Sequence, residues 1–356
     1  MKPFLSMIAL ALVWQINAQV IYYNADQFPL IGKTSDETET RYERLPTHLK
    51  EVTRPPVWGL GKNSAGLAIR FNSNSTTISA KWEVLRDNRM NHMTETGIKG
   101  LDLYAWEGDH WRPVRAARPS GKVNEQNIIT NMTPEEREFM LYLPLYDGLV
   151  SLEIGIDSAT YIKPPVLPYP DTSRPILVYG TSITQGGCAT RPGMVYTSIL
   201  GRMLNREIIN LGFSGNGQLD YEIAELMATR TDASLFILDF VPNVNTTQLE
   251  EKTRPFYNII REANPTTPIL FVENITYPYA TYDQSTLKNV TEKNRLLRET
   301  FEKIKSEGDS LVYYLPTDGL IGEDGEATVD GVHLTDTGFT RLAQKIFEAI
   351  QKIEKR

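Results

Sequence analysis

The chain has 356 residues, 41% hydrophobic and 23% charged, with 5 Trp, 17 Tyr and 12 Phe. This is a globular composition, long enough for two domains or one large one, and it excludes a disordered chain. A formal net charge of -7 argues against a nucleic-acid partner, because phosphate binding needs a basic surface.

The first 18 residues place Lys2 before an apolar run from Phe4 to Trp14 and end in Ile16-Asn17-Ala18. That order of charged, apolar and small residues is expected of a cleavable signal peptide. The apolar run is too short to span a bilayer, so no stable membrane insertion is expected. The mature protein is expected to be exported, either periplasmic or secreted. Cys188 is the only cysteine, so no internal disulfide is available. The four histidines, His48, His92, His110 and His333, form no spaced pair with one another or with the cysteine. The spacing therefore predicts no metal site and no cofactor.

Residues 19–163 show period-2 alternation. Ile78, Ala80, Trp82 and Val84 form one such set, Leu101, Leu103 and Ala105 a second, and Val150, Leu152, Ile154 and Ile156 a third. Strands with one buried face, separated by Asn, Ser, Gly and Asp turns, predict an antiparallel β-sandwich. Residues 164–174 carry prolines at 164, 165, 168 and 170, and Pro175 follows. Such a stretch can neither pair in a central strand nor continue a helix, and it predicts a linker.

From 175 to 356 the pattern changes. Apolar runs such as "PILVYG", "EIINLG", "SLFILDF", "PILFVEN" and "LVYYL" alternate with helical stretches over 194–204, 219–229, 249–263, 286–305 and 336–353. Near-continuous apolar strands between helices predict a parallel sheet covered on both faces. Ligands of such sheets sit beyond the carboxyl ends of the strands.

Four of those loops carry candidate chemistry. Ser182 in "YGTSITQGG" follows the first strand, where a turn serine can become a nucleophile. Gly212, Gly215 and Gly217 in "NLGFSGNG" let backbone approach a ligand, though the spacing is not that of a dinucleotide site. Asn243 in "DFVPN" could donate to an oxyanion or cap a turn. Asp330 and His333 in "VDGVHLTDTGF" could be an orienting acid and a base, or an ordinary surface pair.

These four blocks, in this order, resemble the SGNH (GDSL) hydrolase superfamily, and the resemblance covers Pro175 to Ile353. It implies a three-layer α/β/α sandwich around five parallel strands. The N-terminal half is similar to the jelly-roll-like β-sandwich that precedes this domain in exported bacterial members. Carried over by residue, Ser182 is the nucleophile, His333 the base and Asp330 its orienter. The implied oxyanion hole is the backbone N–H of Ser182, the backbone N–H of Gly215 and the amide of Asn243. Two positions depart from the family pattern: Thr181 stands where an acidic residue usually precedes the serine, and Val244 where an aspartate usually follows the asparagine.

Three neighbours carry a second possibility each. Arg191 could bind a substrate oxygen or carboxylate, or lock its loop by a salt bridge. Tyr277, with Tyr279 and Tyr282, could stack on a sugar or pack the loop. Cys188 has no basic neighbour in sequence to lower its pKa and is expected to be a small buried residue. The resemblance points to a serine esterase that removes O-acetyl groups from carbohydrate, its partner being an acylated small molecule or glycan. A lipid or acyl-thioester hydrolase is the second reading. A non-catalytic glycan-binding surface protein is the third.

Overall fold

The computed structural model describes residues 19–355; the expected signal peptide, residues 1–18, lies outside them. The N-terminal half contains, in order, β1 (Val20–Asn24), β2 (Leu30–Ile31), α1 (Pro55–Gly61), β3 (Ala68–Ser73), β4 (Ile78–Val84), α2 (Glu95–Lys99), β5 (Leu101–Glu107), β6 (His110–Ala117), β7 (Val123–Ile129), β8 (Arg137–Tyr142), β9 (Leu149–Asp157) and β10 (Ile162–Lys163). One sheet has the order β1-β9-β4-β7 and the other β10-β3-β8-β5-β6, with β2 also on β3. Without the two-residue β2 and β10, the eight strands counted in chain order run 1-8-3-6 and 2-7-4-5. That is the winding of a jelly roll, two Greek keys folded face to face.

Alternation builds its core. Ile78, Ala80, Trp82 and Val84 are all buried against Ile69, Phe71, Leu103, Phe139 and Leu141. The Trp82 Nε1–H donates to the Lys99 carbonyl at 3.0 Å, so the ring is buried without an orphaned donor. The period-2 expectation fails at one point: Val150 is half exposed and Leu149 is buried instead. The register against β4 shifts between Glu83, paired with Ser151, and Val84, paired with Leu149. Val150 is the extra residue of a β-bulge, which turns Leu149 inward.

The second half contains β11 (Asp171–Gly180), α3 (Ser182–Gln185), α4 (Tyr196–Leu204), β12 (Arg206–Gly212), α5 (Tyr221–Ala228), β13 (Leu235–Asp239), α6 (Thr246–Ala263), β14 (Ile269–Val272), α7 (Gln284–Ser306), β15 (Val312–Leu315) and α8 (Asp336–Glu354). The five strands are parallel in the order β12-β11-β13-β14-β15. Successive residues of β11 face opposite ways. Ile176 and Val178 join the cluster with α4 and α8, and Leu177 and Tyr179 join the cluster with α5, α6 and α7. The sheet is thus covered on both faces, as its unbroken apolar strands require. β11 begins at Asp171, inside the stretch expected to be linker. Asp171 pairs with Arg206, and the regular ladder resumes only at Ile176 after a register shift.

Counted from β11, the strand order is 2-1-3-4-5, whose switch point lies between β11 and β13. The loops after those two strands carry Ser182 and Asn243.

The two halves share their cores. Leu45, Leu49 and Val57 pack with Phe213, Leu219 and Phe240, while Met93, Ile98, Leu145 and Tyr146 pack with Val178 and Ile183. Arg44 lies wholly buried between the halves. Its guanidinium donates to the carbonyls of Leu60 and Asn63 on one side and of Asn210 and Gly212 on the other, at 2.7–3.1 Å. Burial pushes its pKa down to about 9.

Candidate active site

Ser182 opens α3 directly after β11. Thr181 caps that turn: its Oγ1 accepts the Ile183 N–H at 3.3 Å, and its own N–H donates to Thr184 Oγ1 at 3.3 Å. The threonine in place of an acidic residue therefore supplies a capping box. Ser182 is nearly buried, and its Oγ lies 3.0 Å from His333 Nε2. The other ring nitrogen, Nδ1, lies 2.7 Å from Asp330 Oδ2.

Asp330 is fixed in turn. Its Oδ1 accepts the backbone N–H groups of Val332 at 3.0 Å and His333 at 2.8 Å. Burial raises the Asp330 carboxyl, but the hydrogen bonds from the His333 ring and these two N–H groups outweigh it and bring it down to about 2. It is a carboxylate at any pH where His333 could act as a base.

The loop after β12 passes close by. Ser214 N–H donates to Gln185 Oε1 of α3 at 3.0 Å, and Gly215 takes φ +67°, a conformation glycine adopts without strain. Asn243 Oδ1 accepts the Gly217 N–H at 3.2 Å, which orients the amide and leaves its Nδ2 to donate. Among the described residues no hydrogen bond engages the N–H of Ser182, the N–H of Gly215 or Nδ2 of Asn243. Arg54, from the N-terminal half, holds this loop through Asn216 Oδ1 and carbonyl at 3.0 and 3.1 Å and Asp220 at 2.6 Å.

Arg191 does not project freely. Its Nη1 donates to Asp102 Oδ2 at 2.6 Å and to Tyr104 Oη at 2.7 Å, both on β5. Of its two readings, the geometry supports the salt bridge, which here joins the two halves. Tyr277 is buried and stacks on Tyr279, with centroids 5.8 Å apart. Tyr279 in turn lies over Gly331, where an added Cβ would sit 2.8 Å from its Cδ1. The pair packs the loop that carries Asp330 and His333, so for Tyr277 packing is again the better supported reading. Tyr282 is exposed.

Several residues bordering the triad are not marked by spacing in the sequence. Tyr146 Oη donates to the Ser182 carbonyl at 3.2 Å. A Cβ at Gly187 would meet both Tyr146 Oη and His333 Cδ2 at 2.9 Å, so only glycine allows this convergence. His92 places its ring 5.3 Å from that of His333. Cys188 is buried as expected, its thiol pushed up to about 12 by burial and by the Asp330 charge. Asp239, buried at the end of β13, accepts Tyr196 Oη at 2.8 Å and Thr184 Oγ1 at 3.1 Å. Burial pushes it up to about 7, against the lowering effect of those two bonds. An aspartate closing the apolar run "SLFILD" was its one visible signal.

A cleft of about 540 Å³ borders the site between the halves, lined by Asn63, Arg86, Asn88, Arg89, Tyr146 and Asn216 among others. A serine, histidine and aspartate linked in this way at the carboxyl edge of a parallel α/β sheet define a serine hydrolase.

Residues 173–351 match the GDSL-like Lipase/Acylhydrolase family, and residues 20–162 match the N-terminus of Esterase_SGNH_hydro-type proteins. The chain belongs to the GDSL-like lipase/acylhydrolase family, as the four sequence blocks suggested. It is 38% identical to a GDSL-like lipase from Bacteroides ovatus, with TM-score 0.90 over 95% of this chain and 98% of that one. A salicylyl-acyltransferase from a tetracycline biosynthetic pathway shares the fold at 17% identity and TM-score 0.76, covering 95% and 98% of the two chains. A family two carbohydrate esterase from Cellvibrio japonicus does so at 12% identity and TM-score 0.61, covering 94% and 98%. No curated protein matches the sequence. Among the described residues no helix is long and apolar enough to cross a membrane.

Proposed function

We propose that this serine hydrolase is an exported esterase that removes O-acetyl groups from carbohydrate through an acyl-enzyme. The observation that carries the chemistry is the relay Ser182 Oγ to His333 Nε2 at 3.0 Å and His333 Nδ1 to Asp330 at 2.7 Å. In this reading His333 takes the Ser182 proton as Oγ attacks the acetyl carbonyl. The oxyanion forms between the N–H groups of Ser182 and Gly215 and the amide of Asn243. His333 then returns the proton to the departing sugar oxygen. Water, deprotonated by the same ring, attacks the acyl-enzyme and releases acetate.

One observation favours a sugar ester over a long acyl chain. Structures that share both halves of this chain include a family two carbohydrate esterase and an acetyl xylan esterase. The test is acetate release from acetylated polysaccharides beside a short-to-long p-nitrophenyl ester series, with wild type and Ser182→Ala in parallel. Acetate release lost in the variant is expected. A preference for long acyl chains would replace the carbohydrate assignment by the lipid one, and equal activity in both proteins would remove Ser182 from the mechanism.

A further inference from the structure

We propose that His92, Cys188, Asp330 and His333 form an inhibitory binding site for a thiophilic divalent cation, Zn²⁺ by the chemistry of its donors. One ligating atom of each residue lies within 4.8 Å of every other. Two imidazoles, a thiol and a carboxylate are a donor set suited to tetrahedral zinc, whose bonds run to roughly 2.0–2.3 Å. Ligands at such a centre sit roughly 3.3–3.8 Å apart, so side-chain rotations of about 1 Å close the cluster.

The surroundings suit ligation. His92 Nδ1 lies 3.0 Å from Asn91 Oδ1. With the Nδ1 proton held there, Nε2 carries the free lone pair, the arrangement found behind metal-bound imidazoles. Asp330 is already held by two backbone N–H groups, a preset orientation for a carboxylate ligand. Cys188 is buried near the Asp330 charge, and its Sγ donates to the His92 carbonyl at 3.3 Å, which ties two of the four ligands together. A cation among these groups neutralises that charge and takes the sulfur as thiolate, and the thiol proton passes to solvent as the metal–sulfur bond forms.

The consequence is inhibition. An ion held by Asp330 and His333 breaks the bond between them and withdraws the ring from Ser182. Spacing could not have shown the site, because His92 comes from the segment before β5 and Cys188 from the loop after α3, 96 positions apart.

The experiment uses the full chain. Co²⁺ titration reports on the ligands directly, because a bound thiolate gives a charge-transfer absorption in the near ultraviolet. That readout stands whether or not the carbohydrate assignment holds. Zn²⁺ is expected to displace the Co²⁺, to stop hydrolysis of a short p-nitrophenyl ester, and to be reversed by EDTA. His92→Ala and Cys188→Ser should retain hydrolysis while needing at least about 10–100-fold more Zn²⁺ for the same inhibition, the cost known for losing even an outer-sphere partner. Cobalt binding without the thiolate band in the wild type overturns the site, with no variant needed. Inhibition unchanged in both variants, or a thiolate band with undiminished hydrolysis, overturns it equally.

Discussion

In the proposed mechanism His333 takes a proton from Ser182 only while the ring is held in one orientation and tautomer, and its 2.7 Å contact with Asp330 provides both constraints. Replacing Asp330 by Asn keeps the shape but offers an N–H where the ring needs an acceptor. Asp330→Asn is expected to lower kcat by about 10⁴, measured on a short p-nitrophenyl ester with folding checked by circular dichroism. In the proposed oxyanion hole the Asn243 amide acts only on developing charge. Asn243→Ala should therefore cost about 10²–10³ in kcat and leave KM little changed. Asp239 behaves differently from Asp330. Its folded pKa, about 7, stands above the ordinary carboxylate value, so the folded state holds the proton more tightly than the unfolded chain. Stability contributed by that proton is present at low pH and falls as pH rises from about 4 to about 7. Urea midpoints of wild type and Asp239→Asn should show the wild type relatively stronger at pH 5 than at pH 8. A constant difference would mean that Asp239 does not titrate in that range.

At the scale of elements, the short turn α3 is held from three directions. Thr181 caps it, Thr184 ties it to Asp239, and the Gln185 side-chain amide donates to the Leu145 carbonyl at 3.0 Å. The last of these comes from the sandwich half, as does the β5 carboxylate that holds the next loop. Asp102 is wholly buried, and its Oδ2 accepts Arg191 Nη1 at 2.6 Å and the Gly193 N–H at 2.9 Å. Removing the guanidinium leaves a buried carboxylate without its bonded cation, Arg202 and the Gly193 N–H remaining, a loss of about 3 kcal/mol. Arg191→Ala should unfold at markedly lower urea while KM for a short ester stays unchanged. A raised KM with unchanged stability would restore the substrate-binding role considered from the sequence.

For the whole molecule, the jelly roll and the α/β sheet behave as parts of one body. Without residues 19–163 the hydrolase half would expose Phe213, Leu219 and Phe240, now covered by Leu45, Leu49 and Val57. The carbonyls of Asn210 and Gly212, now served by Arg44, would lose a buried donor, and the Ser214–Asn216 loop would lose Arg54. A fragment of residues 164–356 is expected to show no cooperative thermal transition and to bind a hydrophobic dye. A sharp transition in that fragment would show that the halves fold independently.

The strands, the helices and the order of the four loop blocks were legible in the chain because they follow from local rules. Alternation, apolar runs, helix periodicity and tight-turn residues act over a few neighbouring positions. Those rules placed Ser182, Asn243 and His333 at one end of one sheet, and the family resemblance assigned their roles. Where a local rule failed, at Val150, one extra residue in a strand reversed the expected face. What surrounds the serine could be decided only in three dimensions. Arg191 could be judged only once Asp102, 89 positions earlier, was seen beside it. His92, Arg44, Arg54, Tyr146 and the titration of Asp239 likewise carry no signature in spacing. Burial and charge depend on distance in space, and the packing of one half of the chain against the other sets those distances.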